Sequence, residues 1–501
     1  MKRFIVLSTI LACSLTNYAQ AFFNERPKLV VGIVVDQMRW DYLTRYYDQF
    51  SADGFRRLVE QGYSLNNCLI NYIPTVTAVG HTSIYTGSTP AFHGICGNNF
   101  YIEGCKTYCT QDDSVETVGS DLPRGKESPR NLLASTIGDQ LRLHTDFRSK
   151  VIGVSYKDRA AILPAGRSAN AAYWLDTKNR CFITSTYYMK ELPKWVKDFN
   201  SRMKSDKEIK KLGTDIGLYP LCGTVTTDMA IAALQNERLG LGKETDMLCI
   251  SYSQTDVIGH KFAIRNERID SAYLQLDKDL SRLFQALDQQ VGRGNYLLFL
   301  TADHGGPYNW RYLEEHKMNS GPWQADSIVE ACEAAVAKRF HSTKPVIIKN
   351  LECRFFLDHK SIDEQGLDYQ QVKDVIIECL RKAPHAEFVV DYENIAKQAL
   401  PPMLRDRILM GYHYRRSGDI LYVPEPGFND YGSWSSPTGN THGVWCPYDS
   451  HIPLLFYGWK VQHGATSREV HITDIAPTVC QLLHIQQPNA CVGEPITEIT
   501  K

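Results

Sequence analysis

Five short apolar runs, each broken off by a polar residue, constrain this chain more than any other feature. They read "KLVVGIVVD", ending at Asp36; "KVIGVSYKDR", passing through Lys157 and Arg159; "DMLCISYSQTD", ending at Asp256; "NYLLFLTADH", ending at Asp303 and His304; and "IPLLFYG", ending at Gly458. Runs that are rich in β-formers and show no alternation are strands buried on both faces. Helical patterns lie between them. From Asn266 to Leu287 the residues Ile269, Tyr273, Leu276, Leu280, Phe284 and Leu287 recur at steps of three or four, the spacing of one helix face. Thr473 and Asp474 can cap a second helix carrying Ile475, Val479, Leu482 and Leu483. Strands alternating with helices predict an α/β fold, a three-layer α/β/α sandwich around a mostly parallel central sheet. Residues 161–222 and 307–440 fit this rhythm poorly and are expected to be insertions on the core, lining or covering the site.

In such sheets ligands bind beyond the carboxyl ends of the strands, where the polar residues sit. Asp36, Asp256 with His260 in "DVIGH", Asp303 with His304 in "DHG", and His442 in "NTHGVW" make three carboxylates and three imidazoles. Taken alone, each has a plainer reading: a cap, a turn residue or a surface pair. Together, at strand ends and beside glycines, they point to metal. Aspartate and histidine without cysteine suit zinc or another first-row ion better than magnesium or calcium. Six ligands exceed one tetrahedral site and suit two ions that clamp the attacking and leaving oxygens of an in-line displacement.

The stretch "NYIPTVTAVGHTSIYTG", residues 71–87, holds four threonines, a serine and a histidine. Beside two cations a threonine hydroxyl loses its proton readily, so one of these can be a nucleophile without a histidine base. Lys157 and Arg159, two apart in an extended segment, point to one side and offer a point charge and a planar fork to phosphate oxygens; the plain alternative is a solvated charged loop.

The chain resembles the alkaline phosphatase superfamily, specifically the bacterial phosphate-irrepressible alkaline phosphatase branch, related to nucleotide pyrophosphatase/phosphodiesterases. The resemblance is carried in order by "RPKLVVGIVVDQMRWDYLTRY", "PTVTAVGHTSIYTG", "HGICGNNF", "YKDRAAILPAG", "TDVIGH", "TADHG", "NTHG" and "TDIAPTV". It implies an α/β/α sandwich with a cap and hydrolysis of phosphate monoesters through a phosphothreonine at Thr77. It implies two Zn²⁺, one held by Asp36, Thr77, Asp303 and His304 and one by Asp256, His260 and His442. Asn98, Lys157 and Arg159 then match the groups that hold the non-bridging oxygens, Thr75, Thr82 and Thr86 are structural, and His81 bonds locally. The related diesterases lack the Lys/Arg pair, so "YKDR" favours the monoester dianion. A phosphodiesterase of the same superfamily is the alternative, and a catalytically inactive binding protein the remote one. No C/S-x-P-S-R context exists for a sulfatase.

Net charge is −1, which gives no global attraction to nucleic acid or anionic membrane. Lys2 and Arg3 before the apolar run Phe4 to Leu15, then Ala19-Gln20-Ala21, read as a secretory signal peptide over residues 1–21. The expectation is a periplasmic or secreted monomer acting on small-molecule phosphate monoesters, with residues 22–501 as one catalytic domain. No later segment approaches the roughly 20 apolar residues of a membrane span. "ILAC" at Cys13 resembles a lipoprotein box, but its apolar run is short for a lipid anchor. Export permits disulfides; Cys105 and Cys109 are close enough in sequence to pair, whereas Cys249 and Cys480 read as buried small hydrophobes.

Overall fold

The computed structural model describes residues 25–431 and 436–500; the expected signal peptide and Cys13 lie outside them. Ten strands form one sheet: β1 Leu29–Val35, β2 Tyr63–Leu65, β3 Thr117–Val118, β4 Val151–Ser155, β5 Ala171–Asp176, β6 Cys181–Ser185, β7 Asp246–Tyr252, β8 Tyr296–Thr301, β9 Leu454–Gly458 and β10 Gly464–Thr466. Their spatial order is β10-β2-β9-β8-β1-β7-β4-β5-β6-β3. The five central strands, β8-β1-β7-β4-β5, are mutually parallel, and β9 and β6 flank them antiparallel. Every residue of β1, β4, β7 and β8 is buried, as unalternating runs require.

Helices cover both faces. Gly32, Cys249 and Gly153 lie in register across β1, β7 and β4. On their face pack α1, Thr77–Thr86, and α2, Asp158–Ala165: Cys249 bonds the Pro164 carbonyl, and a side chain at Gly32 would strike Tyr85. Tyr252 lies three residues after Cys249 and therefore on the opposite face, where its hydroxyl meets Thr227 of the helix Leu221–Asn236. That helix packs in turn on Glu267–Gln290, whose buried Ile269, Tyr273, Leu276, Leu280, Phe284 and Leu287 are the periodic residues of the sequence.

Residues 161–222 do not stand off the sheet. They supply β5 and β6, which continue it beyond β4; the aromatic content of "AAYWLD" reflects strand burial rather than a cap. Residues 307–440 build a second lobe. Strands 347–351, 354–357, 420–424 and 386–391 form an antiparallel sheet in that order, with its own apolar core. The lobe is fastened to the main body by polar contacts: Arg354 to the Cys96 carbonyl at 2.7 Å, and Arg416 to the carbonyls of Gly94 and Asn131 at 2.7 Å each.

The Cys105–Cys109 pairing does not occur. Cys105 opens the hairpin strand 105–108, and Cys109 follows its end. Four residues along an extended strand span about 13 Å, beyond the reach of a disulfide. All thirteen cysteines among the described residues are free. Cys249 and Cys480 are buried as expected.

At Gly80 α1 approaches the end of β8 so closely that a Cβ would lie 2.2 Å from the Asp303 carbonyl oxygen. Gly80→Ala is expected to destabilise the fold by about 1–3 kcal/mol, read as a lowered denaturant midpoint at constant slope; an unchanged midpoint would contradict this packing.

Candidate active site

The parallel strands end on one edge, and five of the six candidate ligands follow such an end. Asp36 comes directly after β1. Asp303 and His304 follow β8, and Asp256 and His260 lie one turn apart on α3, Gln254–Phe262, which follows β7. His442 arrives from the loop before β9. Two groups result: Asp36, Asp303 and His304, and Asp256, His260 and His442, with the potential ligand atoms of each within 4.8 Å of one another.

The three histidines share one arrangement. His304 Nδ1 bonds the Gly305 carbonyl at 2.8 Å, His260 Nδ1 that of Asn440 at 2.9 Å, and His442 Nδ1 that of Thr75 at 2.7 Å. A carbonyl only accepts, so each Nδ1 carries a hydrogen, and Nε2 is the nitrogen that turns toward the carboxylates. Those Nε2 atoms face the carboxylates: His304 lies 3.5 Å from Asp36, and His260 and His442 lie 3.2 and 3.6 Å from Asp256. A backbone acceptor behind an inward Nε2 is how proteins orient metal-binding imidazoles. Burial holds the pKa of His304 low, and burial with His304 and His260 nearby holds that of His442 well below the ordinary value; at His260 burial is outweighed by Asp256 and the Asn440 carbonyl, which raise it. Neutral imidazoles are the form that binds metal.

The residues fit a cation for a further reason. Asp36 Oδ1, Asp303 Oδ2 and His304 Nε2 are buried and lack hydrogen-bond partners. Three converging lone pairs without a donor are costly unless a positive charge meets them. Burial, with Asp256 and Asp303 beside it, pushes the Asp36 pKa well above the usual range, despite Lys157.

Thr77 is the first residue of α1, and its surroundings fix its place. Two residues earlier the Thr75 carbonyl holds His442, and one residue later the Ala78 N–H donates to Asn98 Oδ1 at 3.0 Å. The Thr77 carbonyl bonds His81 Nδ1 at 2.9 Å, and that nitrogen also lies 3.2 Å from Asp303. His81 is thus a local brace, as expected. The hydroxyls of Thr75, Thr82 and Thr86 donate to the carbonyls of Val444, Ala78 and Thr82 and are structural.

Lys157 and Arg159 do not lie together in one extended segment. The strand stops at Ser155; Lys157 caps α2 and Arg159 lies in its first turn. Lys157 Nζ bridges Asp36 and Asp256, one carboxylate from each group, at 2.6 Å each. Burial opposes its charge, but Asp256 and Asp36 prevail and keep its pKa raised. Arg159 is anchored through Nη1 to the Tyr108 hydroxyl at 2.9 Å. Asn98 spends its carbonyl oxygen on Ala78, which leaves its amide NH₂ for the site.

Four contributors escape sequence reasoning. Gln37, at φ 62°, donates its backbone N–H to Asp303 and its side-chain amide to Asp256, tying the groups together. Asp449 accepts from Gly443 and Val444 and so shapes the His442 loop. Asn440 supplies the carbonyl behind His260. Glu352, from the second lobe, accepts from the Asn98 backbone N–H at 3.4 Å. Only Gln37 carries a sequence signal, its place directly after a strand-end aspartate.

The model of the family described as "Type I phosphodiesterase / nucleotide pyrophosphatase" matches residues 30–445. A protein of Myroides odoratus named "Calcium-transporting ATPase" is 44% identical over 95% of both chains. "Alkaline phosphatase PafA" of Elizabethkingia meningoseptica is 41% identical over 99% of this chain and 97% of that protein. A crystal structure of wild-type alkaline phosphatase PafA superposes with TM-score 0.91 at 40% identity, covering 95% of this chain and 99% of the other. The chain belongs to the type I phosphodiesterase/nucleotide pyrophosphatase family, within the alkaline phosphatase superfamily and its bacterial phosphate-irrepressible branch.

Proposed function

We propose that this protein is a metal-dependent alkaline phosphatase that hydrolyses phosphate monoesters by two displacements at Thr77. The observation that carries the reading is the pair of ligand groups whose histidines all turn Nε2 inward beside the first turn of α1. The relatives' names, phosphatase and ATPase, both denote hydrolytic transfer of a phosphoryl group. Three aspartates and three histidines without cysteine suit two Zn²⁺: Asp36, Thr77, Asp303 and His304 for one, Asp256, His260 and His442 for the other. Ions held there favour the threonine alkoxide and offset charge on the attacking and leaving oxygens.

The chain's own residues do the rest. Thr77 stands at a helix N-terminus, where the peptide dipoles favour an anion. Its Oγ1 attacks phosphorus; the bond from phosphorus to the alcohol oxygen breaks, and the alcohol leaves with a proton from solvent. Water then attacks the phosphothreonine, freeing the hydroxyl and inorganic phosphate. Lys157, between a carboxylate of each group, stands where a phosphate spanning both would lie. Together with the Asn98 amide and Arg159 it offers donors to three non-bridging oxygens and two positive charges. A monoester dianion uses all of them; a diester has one charge fewer and a bulky group on one oxygen. The cation pair therefore favours the monoester. The leader-like sequence of residues 1–21 supports export, with residues 22–501 acting as a single monomeric catalytic unit.

Thr77→Ala is expected to lower kcat on a phosphate monoester by at least about 10³-fold, while Thr77→Ser retains turnover; near-normal turnover by Thr77→Ala would remove Thr77 from the role. Dialysis against a chelator is expected to abolish activity and added Zn²⁺ to restore it, with His442→Ala weakening metal retention measured by elemental analysis. For the Lys157→Ala/Arg159→Ala double variant, kcat/KM on a monoester is expected to fall by about 10²-fold or more per lost cation, with the methyl diester much less affected. A wild type that prefers the diester would make the protein a phosphodiesterase.

A further inference from the structure

Next to the site lies a cavity of about 440 Å³ that the phosphate groups do not fill. One side is formed by Asn98, His260 and His442 of the candidate site, with Val76 beside Thr77; other lining comes from the second lobe. A phosphate held between the metal groups would send its ester substituent into this space.

The lobe wall carries unusual side chains for a buried surface. Asn350, in strand 347–351, is 8% exposed, and both its amide nitrogen and its amide oxygen lack partners. Asn429 is 2% exposed, with its amide oxygen unpartnered, and the neighbouring Asp430 has one buried carboxylate oxygen in the same condition. Four unsatisfied polar atoms on one cavity wall are expensive if nothing meets them. Three of the four are acceptors.

The wall is also held in place at a cost. Strands 347–351 and 354–357 are joined by Glu352 and Cys353, at φ 53° and 64°. A two-residue turn of that kind normally uses Asn-Gly or Gly-Gly, and neither residue tolerates positive φ as glycine does. The strained turn places Glu352 against Asn98 and Arg354 against Cys96. Asn350 and the phosphate-facing Asn98 are thus fixed relative to each other.

Resting on the phosphatase reading, we infer that this cavity is a leaving-group subsite for a neutral polyhydroxylated alcohol, such as a sugar or polyol, whose hydroxyls donate to Asn350, Asn429 and Asp430 and accept from the Asn350 amide. An aryl group has no hydrogens for these acceptors. A second anionic group would face Asp326, Asp430 and Glu352, against Lys349 alone.

The test compares kcat/KM for glucose 6-phosphate and for ethyl phosphate, two alkyl esters that differ in hydroxyls, in the zinc-loaded enzyme. The wild type is expected to favour glucose 6-phosphate. The ratio is expected to fall by about five- to tenfold in each of Asn350→Ala and Asn429→Leu, the loss of one or two neutral hydrogen bonds. Asn350→Asp, which keeps the shape but removes the donor, is expected to fall between wild type and Asn350→Ala. A ratio near one in the wild type, or one unmoved by the substitutions, overturns the subsite and leaves the phosphatase reading intact. Failure of the wild type to hydrolyse either ester overturns both.

Discussion

The structure depends on the convergence of three buried carboxylates, Asp36, Asp256 and Asp303, at the ends of adjacent parallel strands. Burying one carboxylate is costly, and burying three together is worse, because each raises the energy of the others. The fold accepts this because it surrounds them with positive partners and oriented donors. Lys157 bridges two of them, Gln37 donates to two, and His81 braces the third. Lone pairs still remain unmet on Asp36, Asp303 and His304. A protein evolved only for stability would replace such a cluster with apolar side chains of similar volume. Its retention makes sense when cations complete it.

Much of this was legible in the sequence, and for a physical reason. A strand buried on both faces must be apolar throughout, so its end is marked by the first polar residue, and in a parallel sheet these ends gather on one edge. Asp36, Asp256, Asp303, His304 and Lys157 could be placed that way from pattern alone. His442 sits on a loop without periodic signal and is marked only by its residue type beside a glycine, whereas Asn98 is assigned by the resemblance alone. Residues 161–222 were misjudged because β5 and β6 form an extension of the sheet rich in aromatics, and composition does not distinguish that from a cap. The lysine–arginine pair was placed on the right element end but in the wrong conformation, since "YKDR" gives no sign that α2 begins at Asp158.

What stayed hidden is the supporting structure. Backbone carbonyls of Thr75, Asn440 and Gly305 orient the three imidazoles, and a carbonyl leaves no mark in a sequence. Gln37 acts across more than two hundred residues of chain, and Asp449 steadies loop residues five and six positions before it. Glu352 belongs to a lobe with its own core, and nothing local links it to Asn98. These contacts determine which nitrogen faces the site, and therefore whether six suitable residue types could serve together as ligands.

The two parts of the molecule divide the chemistry accordingly. The main body is built on regular strand and helix ends, which hold side chains with little freedom, and it carries both candidate ligand groups. The second lobe meets it through polar contacts, through apolar ones such as Ile73 in the lobe's core and Tyr101 against Phe356, and through a strained turn at Glu352 and Cys353. Positive φ at two residues that disfavour it persists only when the surroundings demand it. Here the demand comes from docking: relaxing the turn would withdraw Glu352 from the Asn98 backbone and Arg354 from the Cys96 carbonyl. The lobe therefore does more than cover the site. Through Glu352 and the Asn98 backbone, a lobe with its own core is joined to the loop whose Asn98 side chain in turn accepts from the first turn of α1.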